Sequence, residues 1–337
     1  MRPTDFAVLL TGFLSIYLTS QKNASKNTIS SYRDTFKLLL KYFFDQRNIS
    51  AQKLSMGMIT KEQITSFLDW LEKERSCGIS TRNQRLAAIH SFFRYSQYEE
   101  PSEILNFQKV MSIPSKKAPK TSMPYLSPDN MKLLLVQPDK STSKGRRDLT
   151  LLSVLYDSGC RVQELVDITV KDVVLDTLPV LILSGKGNKV RRIPLMKNTL
   201  TLLEYYIHEH SLDKTWKNEN PLFWNNQHSK LTRGGIAFII SKYVHSAKKV
   251  STSFPDTVTP HMFRRSKATH LLEAGVNLIY IRDFLGHENI KTTEIYLKCN
   301  TAIKRKAIEK AYPDLIDSNL PEWNNNKSLL DWLTNLS

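Results

Sequence analysis

The sequence has little cysteine, no long apolar run and none of the short motifs that mark nucleotide or metal chemistry. Its three cysteines, Cys77, Cys160 and Cys299, are odd in number and far apart, which excludes a disulfide framework, and none stands in a C-x-x-C spacing that would suit zinc. A reducing compartment is expected. No stretch reaches the roughly 18 apolar residues of a membrane span, and the N-terminal run meets Asp5, Gly12 and Ser15 too early for a signal sequence. A soluble, cytoplasmic protein without a membrane partner is therefore expected. There is no G-x-x-x-x-G-K-[ST] loop, no Rossmann glycine fingerprint, no H-E-x-x-H pair and no recognisable carboxylate trio. No metal and no cofactor are expected, and two-metal chemistry of the acidic-triad type is disfavoured.

What the sequence does have is positive charge. Its 337 residues hold 48 Lys and Arg against 32 Asp and Glu, a formal charge of +16. Residues 1–120 hold 18 basic and 10 acidic residues, and residues 121–337 hold 30 and 22. Each part is basic to the same degree, which suits two domains facing one polyanion better than a neutral enzyme with a basic tail. The length also suits two domains, and 41 % hydrophobic with 24 % charged residues is an ordinary globular mixture.

The first part reads as helices. From Thr28 to Phe44 the residues Ile29, Tyr32, Phe36, Leu39, Leu40 and Phe43 form one apolar stripe. Thr60 and Gln63 make a T-x-x-Q capping box ahead of Ile64, Phe67, Leu68 and Leu71. Ser80 to Ser96 buries Leu86, Ile89, Phe92 and Phe93 and carries Arg82, Asn83 and Arg85 near its start. Those three could enter a DNA groove or be a solvated helix end. Residues 113–127, IPSKKAPKTSMPYLS, combine three prolines and three lysines without periodicity and read as a connector. The expected division is a helical domain over 1–115, a linker over 116–126, a second domain over 127–316 and a tail helix over 317–337.

Ser127-Pro128 opens the second domain as an N-cap and N1 proline. A helix over Asp148–Asp157 ends at Ser158-Gly159, and a short helix with Arg161 and Glu164 follows. Pro179–Ser184 and Val190–Leu195 read as strands around the turn Gly185-Lys186-Gly187-Asn188-Lys189, a β-hairpin with Lys186 at its edge. Thr259-Pro260 starts a helix with His261 and Arg264 on one face, and Asn277 caps another that ends at Gly286, before His287. The fold class expected is mainly α with a small β-sheet.

Arg161, Lys186, His261, Arg264, His287 and Tyr296 thus gather at element ends. Singly each is an ordinary surface or packing residue; their types, order and spacing carry the signal. The segments SGCRVQEL (158–165), SGKGNKVRRIPL (184–195), TPHMFRRSKATHLLEAGVNLIYIRDFLGH (259–287) and KTTEIYL (291–297) resemble the catalytic boxes of the tyrosine recombinases of phage integrase and Xer type. Three residues separate His261 from Arg264, 23 separate Arg264 from His287, and nine separate His287 from Tyr296. The helical N-terminal part resembles the family's DNA-clamping core-binding domain by pattern only.

The resemblance implies a site-specific recombinase of a mobile element or an Xer-like resolvase, which cuts and rejoins DNA strands through a 3′-phosphotyrosine without metal or ATP. It implies Tyr296 as nucleophile, Arg161 and Arg264 on the scissile phosphate, Lys186 as general acid, His261 as proton acceptor and His287 as a hydrogen-bonding support. Glu164 is either an orienter of Arg161 or an ordinary surface carboxylate. The implied partners are double-stranded DNA with an inverted-repeat core site and further copies of the chain, a dimer on one site and a tetramer in synapsis. The stripe Leu329, Leu330, Trp332, Leu333 and Leu336 is too short to hold as an isolated helix, and docks either on a neighbouring protomer or on its own domain. Arg265, Lys267 and Cys160 depart from the usual pattern, and positive charge at 264–267 offers a further phosphate contact. Two other readings stay open: a type IB topoisomerase-like relaxing enzyme, and a catalytically idle architectural DNA-binding protein.

Overall fold

In a computed structural model of the chain, residues 3–118, 124–185, 189–214, 217–252, 254–290, 292–294, 331 and 333–335 are described. The chain separates into two units, Met1–Thr121 and Ser122–Ser337. The expected tail helix falls almost wholly outside the described residues.

The first unit is helical. Helix α1 (Asp5–Gly12) widens into a π-helical stretch over Phe13–Gln21. Thr11 and Ser15 hydroxyls donate to the carbonyls four residues back, and Thr19 does the same, a competition with the backbone ladder that distorts helices. Helices α2 (Lys26–Arg47), α3 (Lys61–Lys73), α4 (Ile79–Glu99) and α5 (Ile104–Met111) follow. The stripes expected in α2 and α4 are the buried faces: Phe36, Leu39, Phe43, Leu86, Ile89, Phe92 and Phe93 are all buried. Phe92 lies at the centre, edge-on to Phe36 at 5.0 Å and to Phe13 at 5.4 Å. The capping box of α3 forms by half. Thr60 Oγ1 accepts the Gln63 N–H at 3.4 Å, but the buried Gln63 Oε1 has no partner.

In the second unit α6 (Pro128–Leu135) begins at the Ser127 cap, and α7 (Ser143–Ser158) ends at Gly159 with φ +55°. The short α8 (Val162–Asp167) leads to an antiparallel sheet in the order β1 (Val173–Val174), β2 (Val180–Ser184), β3 (Val190–Pro194). The hairpin is as expected and Val173–Val174 adds a strand. Helices α9 (Lys197–Glu209), α10 (Arg233–Val250), α11 (Pro260–Glu273) and α12 (Leu278–Leu285) complete the unit. Leu181, Leu183 and Ile193 point from the sheet into a core shared with Leu151, Leu155, Ile240 and Phe263. Residues near 126 are tied down from α11: Ser266 Oγ accepts the Leu126 N–H at 2.8 Å, and His270 bridges the Leu126 carbonyl and the Tyr156 hydroxyl.

Candidate active site

Two tight turns bring the site residues together. Gly159 ends α7 and Gly286 ends α12, both with positive φ, +55° and +65°, a conformation a side chain resists and glycine adopts freely. Cys160 and Arg161 follow the first turn and His287 the second. A Cβ on Gly286 would also stand 3.2 Å from the Arg191 side chain. Arg264, on α11, holds the two turns side by side: its Nη1 donates to the Gly159 carbonyl at 2.8 Å and its Nη2 to the Leu285 carbonyl at 2.6 Å. At 1 % exposure, Arg264 is a buried brace.

Arg161 is placed by its own helix start. It is the N-cap of α8, and Glu164, one turn on, accepts both the Arg161 backbone N–H at 2.7 Å and its Nη1 at 2.8 Å. The Arg161 Nη2 reaches the Gly286 carbonyl of the second turn in a long bond of 3.5 Å, and the side chain is 42 % exposed. Glu164 is buried, and from β3 Arg191 donates Nη1 and Nη2 to its two oxygens at 3.1 and 2.7 Å. Burial alone would raise the Glu164 pKa; the bonds from Arg191 and Arg161 outweigh it and bring the carboxyl down to about 2. The carboxylate expected as either orienter or surface residue is thus a buried orienter.

His287 shares a 2.8 Å hydrogen bond between its Nδ1 and the Thr293 hydroxyl. Desolvation, then the charges of Arg264, Arg161, His261 and Arg191, push its pKa down to about 4. His261 sits on the exposed side of the first turn of α11, and partial desolvation with the charges of Arg265, Arg264 and Arg161 lowers its pKa as well. Arg161, Arg264, His261 and His287 therefore share one positive neighbourhood. A cavity of about 460 Å³ opens there, with Arg161, Lys189, Arg191, His287, Asn289 and Thr292 among its walls. Lys186 and Tyr296 lie outside the described residues; Gly185, beside Lys186, lines the same cavity. Among the described residues no three His, Cys, Asp or Glu side chains gather as metal ligands.

The structure gives several of the expected residues partners within the chain. Arg82, Asn83 and Arg85 do not project as a free reading surface, because each bonds within its own unit. Arg82 is 4 % exposed and donates to the Pro114 carbonyl. Asn83 donates to the Lys116 carbonyl at 2.7 Å and accepts the Lys116 N–H at 3.0 Å. Arg85 donates to the Ser31 carbonyl and the Thr35 hydroxyl of α2. Nor is Lys267 an extra phosphate contact: its ammonium pairs with Asp157 at 3.1 Å and lies over the Tyr156 ring. Cys160 is a buried thiol, which desolvation pushes up to about 11.

Two residues were not expected at the site, Arg191 and Thr293. The signal for Arg191 was strand alternation, since it shares the inward face of β3 with the buried Ile193. A cation on that face requires an anionic partner.

Family comparisons agree with this geometry. Residues 124–302 match the phage integrase family, and residues 11–100 match the phage integrase N-terminal SAM-like domain. The y4rC protein of Sinorhizobium fredii, which carries an integrase/recombinase name, is 36 % identical over 92 % of both chains. The tyrosine recombinase XerD of Listeria innocua is 32 % identical, with 88 % of this chain and 95 % of that protein covered. In fold, the chain is similar to a Tn1549 transposon integrase in complex with transposon right-end DNA (TM-score 0.69, 18 % identity, 88 % of this chain and 98 % of that one). It is also similar to a XerH recombinase bound to difH DNA (TM-score 0.65, 20 % identity, 86 % and 80 % covered). With both family domains matched and relatives more than 30 % identical over most of its length, the chain belongs to the phage integrase family of tyrosine recombinases.

Proposed function

We propose that this protein is a site-specific DNA recombinase that exchanges strands through a covalent tyrosine intermediate. The observation that carries the reading is that Arg161 and His287 line one cavity while the buried Arg264 ties together the two turns from which they project. A phosphodiester is an anion, and its transition state places more charge on the non-bridging oxygens. Arg161, partly exposed and held on its Nη2 side only by a long bond to the Gly286 carbonyl, suits those oxygens, and a guanidinium offers the paired donors they need. Arg264 supports the same phosphate from behind, by aligning the two turns and with any donor edge that DNA binding frees.

Tyr296 supplies the nucleophile and Lys186 the general acid, roles carried over from the motifs in which they stand. The phenol oxygen attacks phosphorus as its proton passes to His261, whose lowered pKa leaves it neutral and able to accept near pH 7. The bond from phosphorus to the 5′-oxygen breaks, and Lys186 protonates that leaving oxygen. A 3′-phosphotyrosine and a free 5′-hydroxyl result. One phosphodiester replaces another, so resealing by the 5′-hydroxyl of a partner strand needs no ATP. His287, held by Thr293, donates to the phosphate while neutral.

The substrate is double-stranded DNA with an inverted-repeat core. A dimer occupies one site and a tetramer joins two, with the C-terminal helix on a neighbouring protomer. The reaction takes place in the cytoplasm, on a mobile element or a chromosomal resolution site. The deciding experiment is a covalent trap on nicked DNA carrying candidate sites, with wild type and Tyr296→Phe, without metal or ATP. A 3′-linked adduct formed by wild type alone is expected. No adduct on any DNA despite tight binding would overturn the reading in favour of an architectural protein.

A further inference from the structure

Arg191 has no part in the chemistry above, yet from the hairpin it touches both the start of α8 and the end of α12. From β3 its Nη1 and Nη2 clasp both oxygens of Glu164, the carboxylate that positions Arg161. Its Nε donates to the Phe284 carbonyl at 3.1 Å, three residues before His287. Its side chain packs against Gly286, where a Cβ would stand 3.2 Å away, and its side chain is only 12 % exposed. The hairpin that carries Lys186 begins beside the same cluster, since a Cβ on Gly185 would meet Glu164 at 3.2 Å. One planar guanidinium thus joins the hairpin, the start of α8 and the turn after α12.

We infer that Arg191 is a positioning residue, whose fork on Glu164 and bond to Phe284 set where Arg161 and the His287 turn meet. The geometry requires an arginine. A lysine ammonium keeps the charge but cannot bridge two carboxylate oxygens and a carbonyl in one plane. Glu164 without Arg191 is a buried carboxylate held from one side only, free to draw Arg161 inward from the cavity. The inference deepens the recombinase reading and rests on it for its catalytic consequence.

The test compares wild type, Arg191→Met, Arg191→Lys, Glu164→Gln and the Arg191→Met/Glu164→Gln double variant by two readouts. The first is the rate of covalent adduct formation on a nicked site, with DNA affinity measured alongside. Arg191→Met is expected to cleave about 100-fold more slowly and Arg191→Lys about 10-fold more slowly, at little-changed affinity, as for a misplaced reacting group. The double variant is expected to be no slower than the slower single one, because the two residues act as a unit. The second readout needs no DNA: the NMR titration of the His287 ring, identified by its loss in His287→Gln. Its midpoint is expected to rise in both arginine variants; in Arg191→Lys the charge is kept, so a rise there reports lost geometry. A His287 midpoint unchanged in Arg191→Lys, or wild-type cleavage by that variant, overturns the inference. Should Arg191→Met fail to fold, the lysine variant carries both readouts. A wild type that never forms an adduct while the midpoint still rises in Arg191→Lys sinks the recombinase reading and leaves the positioning role standing.

Discussion

Met1–Thr121 builds its core from hydrocarbon and aromatic side chains, and among its described residues Arg82 is the one buried charge, whereas Ser122–Ser337 buries Arg147, Asp148, Glu164 and Arg264. A charge removed from water costs several kcal/mol unless it is paired and hydrogen-bonded. Packed rings hold the shape of the first unit. In the second, buried charges with fixed partners hold the turns and the guanidinium of the candidate site in place. Its four fall into two sets. Arg147 and Asp148 pair at 2.6 Å, with the Tyr243 hydroxyl donating to the other Asp148 oxygen at 2.8 Å, a cluster lining other cavities. Glu164 and Arg264 belong to the candidate active site.

Breaking the cluster outside the site tests whether it is purely structural. Asp148→Asn leaves Arg147 buried without its anion and is expected to cost about 3–5 kcal/mol of stability, measured by urea unfolding, while the folded fraction still cleaves DNA. Phe92→Ala is expected to cost a similar 3–5 kcal/mol or so, through the cavity left among packed rings. That loss should be the same at every pH, unlike one from a charged core.

At the site itself the comparison turns from stability to rate. Arg161→Ala is expected to slow adduct formation by about 100- to 1,000-fold, as for loss of one donor to a developing oxyanion. Because the side chain is partly exposed, its urea midpoint should stay close to wild type.

Acid separates the two kinds of buried group further. His287 has a folded pKa depressed from 6.5 to about 4, so the folded state is penalised as pH falls below 6.5, and the penalty is complete below about 4. Glu164 is depressed from 4.5 to about 2, so its contribution is present above pH 4.5 and is lost as pH falls through 2. Urea unfolding across pH 7 to 4 is therefore expected to show a loss that His287→Gln reduces. An unchanged slope in that variant would mean that His287 is not desolvated. The smallest effect belongs to a helix end: Thr142→Ala removes the cap on the Gly145 N–H and should cost about 1 kcal/mol, measured by thermal unfolding.

Helix ends were the most legible part of the fold. Ser127-Pro128, Ser158-Gly159, Thr259-Pro260 and the Asn277 to Gly286 span all fall at the borders of real helices, because capping chemistry is local. The π-helical stretch over Phe13–Gln21 was not legible, since a widened ladder leaves no sequence period of its own. Helices α9 and α10 went unread, although both are long. The partners of Arg82 and Arg85 were not legible for a related reason. The direction of an arginine near a helix start depends on its neighbours, and the partners of Arg85 lie 50 and 54 residues away.

The sequence by itself determined the family and the two-part division of the charge and nominated the reacting groups, because residue types at fixed spacings along short elements are local information. The tertiary structure decided the state of those groups. It made Arg264 a buried brace and left Arg161 partly exposed. It drew Glu164 to about 2 and His287 to about 4, and it recruited Arg191 and Thr293. Each of these depends on which side chains, far apart in the chain, lie within hydrogen-bonding distance and how much water remains between them. Burial and Coulomb energy depend on distance in space, which no residue spacing along the chain specifies.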